Sequence, residues 1–180
     1  MIAAVGAAAA LVLLGGVIGA PVYVAPEVDP TPAHADVVYV LGPPTAARVE
    51  LARALLDAGV GDTMLLSVPG GALRPGTRDH EKFRACNHPG GDVVCISPVP
   101  FTTGGEARAL AELAEERRWT SAIVITRTSH VARARLLVER CFGGELAVID
   151  AHEPLGFGGW AYQYVYQTAA FAKAFVTPDC

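Results

Sequence analysis

The sequence predicts an α/β fold: a three-layer sandwich on a mainly parallel five-stranded sheet, preceded by one N-terminal transmembrane helix. Three observations predict it. Short apolar runs alternate with segments that carry helix start and stop signals, the pattern of parallel strands buried on both faces. Four of the runs lead into glycine or hydroxyl residues, as strand-to-helix turns require. Met1 to Pro26 contains no charged side chain, and Glu27 is the first.

Residues 1–25 come first. As a helix rising about 1.5 Å per residue, they are long enough for a hydrocarbon core of roughly 30 Å. Leu11 to Leu14, Val17 and Ile18 supply most of the apolar character, and the rest is Ala and Gly. The competing reading is a cleaved signal peptide, but there is no basic n-region, and cutting after Ala20 or Ala25 would place a proline next to the cut. The segment therefore reads as a transmembrane anchor or uncleaved signal, with the following domain extracytoplasmic. Residues 26–35 hold Pro26, Pro30 and Pro32 and read as a stiff linker; residues 36–180 form the α/β domain.

Asp36 to Gly42 is the first strand. Thr45 caps a helix over Ala46–Ala58, and Gly59 stops it. Thr63–Val68 is the second strand, followed by Gly70 and Gly71. The stretch from Ala72 to Gly91 is irregular, with a short helix near Asp79–Ala85. Asp92–Ile96 is the third strand, and Thr102 or Thr103 caps a helix over Gly104–Arg118. Ala122–Thr126 is the fourth strand, and Ser129 caps a helix over His130–Phe142. Leu146–Ile149 is the fifth strand, and Gly158–Phe175 an aromatic-rich helix whose rings cover the sheet. Right-handed crossovers then give a doubly wound, Rossmann-like sandwich.

A net charge of −4 gives no basic footprint for nucleic acid. Four cysteines in an oxidising compartment allow two disulfides. Cys86 and Cys95 bracket a turn-forming stretch and are the favoured pair; Cys141 and Cys180 stay open between a second bridge and free thiols. Asp79, His80, Glu81, His88 and Asp92 match no metal-ligand spacing, so no metal is expected.

In a parallel sheet all carboxyl ends of the strands share one edge, and ligands bind there beside helix N-termini. The loops leaving the first four strands would place Gly42, Thr45, Arg48, Gly70, Gly71, Thr103, Gly104, Glu106, Thr126, Ser129, His130 and Arg133 on this rim. Arg48 and Arg133 would hold an anion together with backbone N–H groups. His130, at a helix start that disfavours its charged form, and Glu106 are the candidate acid/base pair. No G-x-x-x-x-G-K-[ST], G-x-G-x-x-G or G-x-S-x-G motif is present.

Val40-Leu41-Gly42, Arg48 with Ala52, Ser67 through Gly70-Gly71, Thr103 with Glu106-Ala107, and Thr126-x-Thr128-Ser129-His130-x-x-Arg133-Ala134 together resemble the YdcF/SanA/ElyC-like family of bacterial envelope proteins (domain of unknown function 218). The resemblance spans roughly residues 36–149. It implies a Rossmann-like domain behind one membrane anchor, with a role in cell-wall or lipid-carrier metabolism. One family member is associated with S-adenosylmethionine, so a nucleotide-like ligand without turnover is the alternative, as is an envelope adaptor. Pro43-Pro44 replaces the glycines usual in the first loop, and Glu106 stands where Asn is common. The expected partners are a small anionic ligand and the membrane; the cofactor stays open.

Overall fold

The computed structural model describes residues 15–78, 83–86, 92–177 and 180. The first part of the expected anchor, the residues Asp79, His80, Glu81 and His88, and the turn between Cys86 and Cys95 fall mainly outside them. Five strands, β1 (Ala35–Val40), β2 (Gly61–Ser67), β3 (Val93–Ile96), β4 (Ser121–Thr126) and β5 (Glu145–Asp150), form one sheet in the order β3-β2-β1-β4-β5. Every pairing is parallel; Val38 stands opposite Met64 on one side and Ile123 on the other. The helices are α1 (residues 15–23), α2 (Ala46–Asp57), α3 (Thr103–Arg117), α4 (Val131–Cys141) and α5 (Phe157–Val176).

Alternation along the strands divides the core. Val37, Tyr39, Leu65 and Val124 face α3 and α4, where Ala107, Leu110, Ala134 and Val138 meet them. Val38, Val40, Leu66 and Ile125 face Ala52 and the apolar side of α2. Both faces of the sheet are thus sealed, which accounts for strands that are apolar without interruption. The order reverses between β1 and β4, and the crevice beyond their carboxyl ends is where open α/β sheets bind ligands.

Several elements differ in detail from expectation. Thr102 is the cap of α3, accepting from the Gly105 N–H at 3.2 Å, so Thr103 enters the first turn. Ser129 caps nothing: residues Thr128–His130 form a 3₁₀ turn, α4 begins at Val131, and the Ser129 hydroxyl donates to Gln163. Nor do the rings of α5 cover the sheet. This helix packs outside α4 and the 3₁₀ turn, and the side chains it buries are Gln163, Gln167 and Ala174. The Pro-rich stretch is laid along β5, where Asp29 bonds both the N–H and the carbonyl of Val148.

Two disulfides close, Cys86–Cys95 and Cys141–Cys180, the second tying the chain after α5 to the end of α4. Among the described residues no helix is long and apolar enough to cross a membrane.

Candidate functional site

The site begins where β1 runs out. A Cβ on Gly42 would lie 2.6 Å from the Phe101 ring and 2.7 Å from the Ser67 carbonyl, so only glycine passes here. The bare backbone lets the Gly42 N–H donate to Glu106 Oε1 at 2.6 Å. Glu106 arrives from the first turn of α3, which comes close because Gly105 lets it: a Cβ there would sit 2.1 Å from the Pro100 carbonyl oxygen. The carboxyl group is buried. Desolvation pushes its pKa up to about 7, against the pull of the Gly42 N–H, Ser67, Arg133 and Arg48.

Beside it runs a chain of hydrogen bonds. Arg133 donates to Thr103 Oγ1 at 3.1 Å; that oxygen lies 3.2 Å from His130 Nε2, and His130 Nδ1 lies 2.8 Å from Thr126 Oγ1. The imidazole is buried, and its pKa falls well below the ordinary histidine value, first through desolvation and then through the Arg133, Arg48 and Arg127 charges. It is therefore neutral, with one ring nitrogen donating and the other accepting. Behind it the Arg133 Nε donates to Gln167 at 2.9 Å, and Gln167 donates to Gln163 at 3.1 Å. The guanidinium lies over the Tyr166 ring, 5.8 Å from its centre.

Arg48 is also buried, and Thr45 and helix α2 deliver it to the rim. It is not an unpaired clamp. Its NH1 donates to the Leu41 carbonyl at 3.0 Å, and its Nε and NH2 grip Glu153 Oε2 at 3.1 and 3.0 Å. Thr45 donates to the other oxygen of Glu153, and Arg127 stands 3.7 Å away. These partners hold Glu153 below the usual carboxylate range although burial opposes them.

A cavity of about 640 Å³ opens over these groups. Gly42, Arg48, Thr103, Gly104, Glu106, Arg127, His130 and Arg133 form its polar inner end. It then follows α5 from Tyr162 to Ala174, about 18 Å of helix, past Leu137, Ala170 and Lys173. Thr45, Thr126 and Ser129 stand behind this lining. Gly70 and Gly71 lie in a separate 3₁₀ turn, Gly70–Leu73, and do not line the cavity. Among the described residues no cluster of His, Cys, Asp and Glu could hold a metal ion.

Sequence reasoning missed Glu153, Gln163, Gln167 and Arg127. Glu153 was within reach, since it leaves the fifth strand toward the same edge as the other four loops. The two glutamines had a signal too: a polar pair four residues apart in an otherwise aromatic helix. No protein-family model matches this chain, and no curated protein matches it.

Proposed function

We propose that this chain binds a small anionic ligand at the carboxyl edge of its sheet, as a membrane-anchored extracytoplasmic protein of cell-wall or lipid-carrier biogenesis akin to the YdcF/SanA/ElyC-like proteins. The observation that carries the reading is the buried Arg133–Thr103–His130–Thr126 chain beside the buried Glu106 at the inner end of one cavity. Three guanidinium groups converge there against the ionised Glu153 and a Glu106 that is only half ionised near neutrality, so the inner end favours negative charge. The N-terminus of α3 adds its dipole through Gly104. The length beyond, lined by Leu137, Tyr162, Tyr166, Ala169 and Ala170 as well as by Gln163, Gln167 and Lys173, leaves room for an anionic ligand with an elongated remainder. Two disulfides and the uncharged N-terminal run support the envelope setting.

In this reading Arg133 grips the anion and the neutral His130 holds the Thr103 hydroxyl in place. Glu106, with its pKa near 7, is the group that trades a proton as the ligand arrives. An incoming negative charge raises that pKa further, so binding takes up a proton and weakens above pH 7. A second reading, a nucleotide-like ligand such as S-adenosylmethionine bound without turnover, draws on the stacked Tyr162 and Tyr166 rings, 5.8 Å apart at 12° beside the cavity.

Thermal-shift measurements with inorganic phosphate, a short polyprenyl phosphate and S-adenosylmethionine test both. A ligand at about one hundred times its Kd adds roughly 2.7 kcal/mol to the native state. A shift with either phosphate that is lost in Arg133→Ala and Thr103→Val, and kept in the exposed Arg53→Ala, supports the first reading. Equal shifts in all variants reject the site.

A further inference from the structure

α5 presents three sides. Gln163, Gln167 and Ala174 turn inward and are buried. One flank receives α1: a Cβ on Gly19 would lie 2.7 Å from the Tyr164 ring, and Tyr23 meets that ring edge-on at 5.1 Å. Tyr23 and Thr168 hydroxyls bond at 3.1 Å, and the Tyr164 hydroxyl donates to the Gly16 carbonyl at 3.1 Å. The other flank, with Tyr162, Tyr166 and Lys173, borders the cavity. Between the flanks runs an outward stripe at helical spacing: Phe157, Ala161, Val165, Ala172, Phe175 and Val176. All are exposed, Val165 by 74% and Phe157 by 92%. The stripe holds no charge; Lys173, the one charged residue of α5, lies on the cavity flank.

We propose that this stripe lies against the acyl chains of a lipid bilayer, with α5 along the membrane surface and the cavity flank at headgroup level. The occupant follows from α1. It belongs to the uncharged run Met1 to Pro26, and its own outward residues Val17 and Ile18 are 71% and 65% exposed. Two helices in close contact share their surroundings, so the medium that covers Val17 and Ile18 also covers the stripe beside them. A run without charge belongs in hydrocarbon. α5 is not apolar enough to cross a bilayer, and a helix with one apolar and one polar side lies in the interface instead. Trp160, Tyr162 and Tyr166 then stand at the depth where aromatic rings collect. The proposal rests on the membrane-anchored reading above and on no particular ligand.

The experiment uses the full chain in phosphatidylcholine vesicles, with and without brominated acyl chains. Val165→Trp in a Trp119→Phe/Trp160→Phe background reports on the stripe, and Phe175→Trp in the same background is the second probe. Trp160→Phe alone leaves Trp119, beyond the far end of α3, as the reference. Bromine acts over a few ångströms, so quenching at 165 and 175 should exceed that at Trp119 by roughly threefold. Vesicle flotation is read on the same samples. A chain that floats with equal quenching at all three positions overturns the stripe and leaves the anchor standing. A chain that does not float overturns both. Unquenched probes together with a doubled mass assign the face to a second copy and also overturn the proposal.

Discussion

Glu106 shows what one residue adds to its sequence context. In the sequence it is a first-turn acid of a capped helix, agreeable to the helix dipole, and a candidate acid/base only through its place on the rim. Its burial depends on two glycines: Gly42, whose bare backbone meets its carboxylate, and the adjacent Gly105, which lets the helix close on Pro100. With a native pKa near 7 against an ordinary 4.5, the folded state resists ionisation that the unfolded chain accepts. Stability should therefore fall as pH rises from 4.5 to 7 and level off above. Glu106→Gln should match the wild type near pH 4 and exceed it at pH 8, by an amount on the order of 3 kcal/mol. Urea unfolding at both pH values checks this; parallel profiles would refute it. Thr103 is the companion case. Two adjacent threonines offered two possible caps, and only the structure shows that Thr102 takes that duty and leaves Thr103 to His130 and Arg133.

Among the elements, the strands were legible, and so was the extent of the last helix, but not the side it buries. A strand sealed on both faces must be apolar throughout, and that is visible in any order of reading. A helix ringed with Trp, Tyr and Phe has no readable inner side. α5 turns its glutamines inward because Ser129 and Arg133 wait there with donors. The close approach of α3 to the sheet edge gives an element-scale prediction. Gly105→Ala would drive a methyl group into the Pro100 carbonyl, and Gly42→Ala one into Ser67 and Phe101. Each should lower stability by about 1–3 kcal/mol and weaken anion binding. Gly143→Ala, with nothing within 4 Å, is the neutral control. Thermal unfolding of the three variants side by side decides it.

At the scale of the whole molecule, alternation and handedness sufficed for the sheet and for the edge where the site lies, although only three of the four expected loops line the cavity. The fifth loop, with Glu153, completes that edge and neutralises Arg48, which the sequence presented as an unpaired cation. Distance along the chain hid the other closures. Cys141–Cys180 spans 39 positions and holds α5 against α4, aided by the Arg140 bond to the Ala174 carbonyl at 2.7 Å. Opening a loop of that length should destabilise the fold by up to about 4 kcal/mol, and Cys86–Cys95 nearer 3. Melting Cys141→Ser/Cys180→Ser with and without a ligand would show the larger loss and a weaker cavity. An unchanged melting temperature would mean that α5 needs no staple.

Asp29 joins the polypeptide to the rim of β5 through both its backbone and its carboxylate, and Arg135 locks it there at 2.7 Å. Six positions upstream, Tyr23 is wedged beneath α5. What reads as a leash is therefore riveted at both ends to the body it was meant to dangle. On the membrane-anchored reading proposed above, such a mount has no swivel: the domain would hold one orientation to the bilayer, and its ligand would have to come to it.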